Sequence, residues 1–188
     1  MTAIIESIRA EYLRYKALAE AAIGQLDERE LAAHDPEYGN SVTVMCWHLS
    51  GNLQSRFTDF LTSDGEKPWR QREEEFQART TTRAELLAKW DQGWAVLLAT
   101  LNGLTDEQLQ QSVTIRGQSL RVHEALHRSL AHAAYHVGQI VYIAKSQRGK
   151  DWTFLSIPPG KSDAYNRTAH AERPADHAKV LSERKTRP

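Results

Sequence analysis

The spacing of apolar residues constrains this chain more than any other feature, because over four long segments it follows the helical period of 3.6. Residues 3–26 place Ile4, Ile5, Ile8, Tyr12, Tyr15, Leu18, Ala19, Ala22 and Ile23 three and four apart. Residues 41–63 do the same with Met45, Leu49, Leu53, Phe57, Phe60 and Leu61, behind a capping Asn40 or Ser41. A third run opens at Thr81 or Thr82 and continues to 102 through Leu86, Trp90, Trp94, Leu97 and Leu101. A fourth covers 119–147, with Leu126, Leu130, Ala133, Val137 and Ile140 on one stripe. Between the third and fourth, 104–111 reads as one or two helical turns and 112–120 as a small hairpin around Gly117.

Helices of these lengths run about 33–43 Å at ~1.5 Å per residue, and similar lengths favour a four-helix bundle. The expected fold is therefore all-α, with a small hairpin before the fourth helix. Topology turns on the connection over 64–80, which carries Gly65, Pro68 and many charges. Extended, it reaches back ~50 Å. That allows the order up-down-down-up, with the second and fourth helices antiparallel, and it leaves an all-antiparallel order open. Residues 1–160 are expected to form the bundle domain and 161–188 a polar, irregular C-terminal extension, mobile or docked.

Composition narrows the function. The 24 Lys and Arg balance the 24 Asp and Glu, so the cationic excess of a phosphate-tracking surface is missing and no nucleic-acid partner is expected. The extension carries seven basic and four acidic residues, too mixed for a polybasic arm. No run reaches the ~18 apolar residues of a membrane span, and the N-terminal segment has no apolar signal core. A soluble, cytoplasmic protein is expected. Cys46 is the single cysteine, which excludes an internal disulfide framework and a Cys-rich zinc module. It reads as a packed thiol.

Histidine is the unusual entry, with four of the eight within 123–136. His132 and His136 stand four apart, one above the other beside the apolar stripe. His123 and His127 form a second such pair, rotated about half a turn away, and read as a solvated face. An HxxxH pair gives two metal ligands and needs a third from elsewhere. His48, in WHLSGN on the second helix, is the best candidate: antiparallel helices bring it level with His132 and His136. Three neutral imidazoles with a fourth position open describe a catalytic rather than a structural centre, suited to a divalent Zn, Ni or Fe ion. His34, His170 and His177 fall in connections and extension and receive no role. Lys161 and Ser162, in PPGKS, lack the spacing and setting of a phosphate loop.

WHLSGN with His48, DGEKPWRQREEEF, HAAYHVGQIVYIAK with His132 and His136, and LSIPPGKSDAYN occur in that order and span about 5–166. Together they resemble the DinB-like (YfiT-type) superfamily, in one of its uncharacterised bacterial branches. The resemblance implies an up-down-down-up four-helix bundle, a divalent metal on three histidines matching His48, His132 and His136, and a homodimer. Relatives in the superfamily include thiol-dependent transferases and isomerases, so a low-molecular-weight thiol becomes a candidate cosubstrate.

Around the histidines, Asn52, Tyr135 and Gln139 fall where they can orient a ligand or a substrate. The mouth of the pocket is expected from the connection HDPEYGN and from WTFLSIPPGKSDAYN. Arg70, Arg72 and Glu73 to Glu75 line it only if the 64–80 link crosses back. No Asp or Glu stands beside the histidines on either helix, which favours a metal-bound thiolate over a base-assisted water. The expected function is metal-dependent chemistry on a small molecule, as a thiol S-transferase or a hydrolase. The competing reading is a dimeric metal-binding or stress-response module without turnover.

Overall fold

In a computed structural model, the described residues are 3–34, 39–167 and 172–185. They are mostly helical: α1 (Ala3–Ile23), α2 (Glu28–Ala32), α3 (Val42–Phe57), α4 (Arg72–Glu75), α5 (Arg83–Gly103), α6 (Val122–Arg148), α7 (Ser162–Asn166) and α8 (Pro174–Lys185). A two-stranded antiparallel hairpin, β1 (Ser112–Ile115) and β2 (Gln118–Arg121), precedes α6. No helix is long and apolar enough to cross a membrane among the described residues.

The four long helices, α1, α3, α5 and α6, start and stop for local reasons. Ser41 caps α3 by accepting from the Val44 N–H, and Thr82 caps α5 in a reciprocal box with Glu85. α3 ends at Phe57, several residues before its apolar period fades, because Asp59 turns to φ 48° and its carbonyl closes a turn on Thr62 and Ser63. α6 begins at Val122 and not at 119, because 118–121 are spent on pairing with β1. The turn between the strands places Arg116 at φ 54° and Gly117 at φ 73°, the left-handed pair that matches strand twist in a two-residue hairpin. Within the connection after α1, Asp27 and Glu30 form a capping box that opens the short α2.

Hydrogen bonds between the long helices give their directions. Ser50 Oγ donates to the Lys89 carbonyl and Thr100 Oγ1 to that of Phe57, so α3 and α5 run parallel. The N-terminus of α1 meets Asp106, just past α5, while Arg83, at the start of α5, reaches the Leu26 carbonyl beyond α1. These two run antiparallel. Tyr12 donates to the Leu126 carbonyl at 3.1 Å and Gln25 pairs with Thr153, so α1 and α6 are parallel. It follows that α3 and α6 are antiparallel.

The core lies between these helices. Tyr12, Trp90 and Trp94 are its largest members, all fully buried, and Tyr12 meets Trp94 edge-on at 6.2 Å. α3 and α5 approach closely at Gly93, where a Cβ would lie 2.6 Å from the Ser50 Cα. In the extension, α8 packs along α1 and buries Leu181.

Candidate metal centre

His48 enters from α3, and His132 and His136 from α6. The antiparallel contact of these helices brings the three imidazoles to one level. His48 Nε2 lies 3.3 Å from His132 Nε2, and His136 Nε2 lies 3.1 Å from the same atom. The three form a group whose ligand atoms all fall within 4.8 Å of one another. Nitrogens bound at ~2.0–2.1 Å to one tetrahedral ion stand about 3.3 Å apart. The spacing therefore suits a shared ion.

Each outer histidine has its far nitrogen committed. His48 Nδ1 donates to Glu75 Oε2 at 2.9 Å, and His136 Nδ1 donates to Gln139 Oε1 at 2.7 Å. In the neutral rings, both Nε2 atoms then present lone pairs toward His132. One N–H on His132 cannot serve both well, whereas a cation between the three satisfies all of them. Burial pushes the His132 imidazole down to about 3, aided by His136, His48, Arg70 and Arg56. Burial also lowers His136, against the opposing pull of Gln139 and with His48 adding to it. Neutral imidazole is the metal-binding form.

Glu75 is the partner that helix periodicity does not reveal. It belongs to α4, in the charged link after α3, and is buried. Arg70 grips its carboxylate with Nε and a terminal nitrogen, both at 2.8 Å. Burial alone would raise this carboxyl; Arg70 and then His48 reverse that and hold it below the usual range. It stays ionised and fixes the His48 tautomer, as carboxylate–histidine pairs do at metal sites. Gly51 makes the arrangement possible, because a Cβ there would overlap the Glu75 carboxylate and lie 2.7 Å from its Cδ. Phe76 completes the wall by packing on the His48 ring at 4.6 Å.

The histidines face a cavity of about 280 Å³, lined also by Asn52, Phe57, Phe60, Ile115 and several arginines. This corrects the expected mouth. The cavity is bordered by the link over 64–80 and by the hairpin, and no described residue of HDPEYGN or WTFLSIPPGKSDAYN lines it. The reason is direction: Asn52 and Arg56 follow His48 along α3 while Ser129, Arg128 and Ala125 precede His132 on α6, so the facing rows open toward the hairpin end. Of the first expected segment, 35–38 lie outside the described residues, while His34, Gly39 and Asn40 line a separate groove beside Tyr135 and Gln139. Lys161 lines another, against α8.

The remaining expected residues fall as follows. Asn52 lines the cavity one turn beyond His48. Gln139 touches His136 directly and donates to the exposed Tyr135 hydroxyl at 3.3 Å. His123 donates Nδ1–H to the Leu109 carbonyl, and His127 is exposed beside it, away from the triad. His177 contacts the Leu155 carbonyl. His170 lies outside the described residues. Cys46 is buried, and burial pushes its thiol far up, out of reach of ionisation.

Helices carrying a buried three-histidine group that could hold a metal ion define the class of protein. The chain belongs to the family described as "Protein of unknown function (DUF1572)", which matches residues 1–161. No curated protein and no solved structure matches the chain.

Proposed function

We propose that this is a metal-dependent enzyme acting on a small molecule, with a divalent ion held by His48, His132 and His136. The observation that carries the reading is the convergence of three Nε2 atoms, two of them aimed by partners on their far nitrogens. The helix directions fit the up-down-down-up bundle of the DinB-like superfamily, and homodimerisation is part of the same proposal. A divalent ion at this position would supply Lewis acidity, lowering the pKa of a thiol or a water molecule.

The chain's own residues divide the remaining work. Glu75 and Gln139 orient the two outer ligands. Phe57, Phe60 and Phe76 keep the cavity partly dry. Glu75 contacts His48 from the side opposite Nε2, so it is a positioning residue and not a base for a reacting water. No carboxylate lines the cavity among the described residues. That supports transfer of a low-molecular-weight thiol over hydrolysis. What supports an enzyme over a non-catalytic module is the cavity itself: the histidines border space that a substrate can enter.

Metal analysis of untagged protein, with His48→Ala and His136→Ala alongside, is the direct test. Wild type should hold one first-row ion per chain and each variant much less. Equal content in all three, or none in the wild type, would remove the metal and with it the reaction class.

A further inference from the structure

Apart from the histidines, every ionisable side chain lining the cavity among the described residues is an arginine: Arg56, Arg70, Arg72, Arg116 and Arg128. Their states differ. Arg70 is spent on Glu75, with Glu66 at 3.8 Å, and its side chain is 2% exposed. Arg56 and Arg116 share Glu66, at 3.1 and 2.9 Å. Arg72 meets the exposed Glu73 and lies over the Phe76 ring at 4.9 Å, the ring that packs on His48. Arg128, on α6 one turn before His132, is exposed and has no carboxylate within 4.0 Å among the described residues.

A buried guanidinium needs an acid beside it, whereas one at an exposed cavity rim is free to meet a ligand. Here Arg56, Arg70 and Arg116 share two carboxylates, Glu66 and Glu75, and two more arginines stand at the cavity with an exposed partner or none. These five guanidiniums line the same cavity as the three histidines and set a positive field there. Burial lowers the Arg56 guanidinium, and the nearby Arg70 and Arg116 add to that against the pull of Glu66. Such a field attracts an anion into the cavity. It makes sense where the ligand brings negative charge. Guanidinium forks match the oxyanions of carboxylates and phosphates, and the neighbouring phenylalanines and Ile115 suit an apolar body between anion and reacting end.

We infer that the cavity takes a small organic molecule bearing an oxyanion, carboxylate or phosphate, held by Arg128, Arg72 and Arg116 while its reacting end lies at the histidines. This rests on the reading of the cavity as a substrate site, but it does not require bound metal.

Calorimetric titration tests it with phenyl phosphate, benzoate and benzyl alcohol, three probes that share a ring and differ in charge. Each is added to zinc-loaded protein and to protein stripped of metal and freed of chelator. Wild type should bind at least one of the two anions in both forms, and which one binds tells phosphate from carboxylate. Benzyl alcohol should bind at least tenfold more weakly. Arg72→Gln/Arg128→Gln, at two exposed positions, should keep its circular dichroism and its zinc content and lose about tenfold in anion affinity. Equal binding of the neutral probe, no anion binding in either form, or full affinity in the double variant would overturn the inference. Anion binding by a protein that takes no zinc would leave it standing and sink the metal reading instead. Stoichiometric zinc without anion binding would do the reverse.

Discussion

Glu75 accepts a hydrogen bond from His48 Nδ1 at 2.9 Å across 27 residues of sequence, and that contact links the charged connection to the histidine group. Replacing the acid with its amide keeps the shape and removes the charge. Glu75→Gln should weaken zinc binding about ten- to a hundredfold, the usual effect of losing a partner behind a ligand histidine. Competition against a chromophoric chelator measures it. An unchanged affinity would mean that the contact does not tune the histidine.

Gly51 should behave as part of the same unit. In a helix interior, Gly→Ala ordinarily stabilises by about 1 kcal/mol. Here the new methyl would overlap the Glu75 carboxylate. Gly51→Ala should therefore lose zinc affinity to a similar degree as Glu75→Gln. In the double variant the losses should not add, because both act through one contact. Additive losses would separate the two residues.

How much of this could be read from the chain follows from the range of each signal. His132 and His136 show themselves because a helix turns their four-residue spacing into adjacency, and His48 because antiparallel helices bring it level. Glu75 does not. It sits in a four-residue helix within a link that has no apolar period, and it reaches His48 only because Gly51 leaves room. The hairpin is visible from Gly117, whereas the end of α3 at Phe57 depends on a backbone turn at Asp59 that apolar spacing does not register. The mouth of the cavity leaves no mark in the apolar spacing. Which end of the helix pair is open depends on where the 64–80 link and the hairpin pack, and neither position follows from periodicity.

Gly93 sets the distance between α3 and α5. A Cβ there meets Ser50 main-chain atoms, with the Cα at 2.6 Å, and backbone cannot swing aside as a side-chain tip can. Gly93→Ala should cost roughly 1–3 kcal/mol, the range for overpacking a close contact, despite the better helix propensity of alanine. Urea unfolding with an unchanged slope would report it as lost stability. A stabilised variant would show that the helices separate without penalty. Because Ser50 lies two residues from His48, zinc affinity should fall as well.

Asp64 supplies a pH dependence of another kind. Its carboxylate accepts from the backbone N–H groups of Glu66, Gly117 and Arg116, at 2.7 to 2.8 Å. These bonds hold its pKa below the ordinary aspartate value. A group whose pKa is lower in the folded state stabilises that state fully above its unfolded value, about 3.9. The contribution fades as pH falls toward the folded pKa and is gone below it. In Asp64→Asn the acid limb of stability should therefore be flatter from about pH 4 downward. The hairpin should also loosen at neutral pH, since Arg116 and Gly117 both use this carboxylate to hold their left-handed turn. Thermal melts across the acid range, with amide exchange at Arg116 and Gly117, measure both effects. If the variant keeps the wild-type acid limb and wild-type amide protection, Asp64 contributes nothing to the turn that borders the cavity.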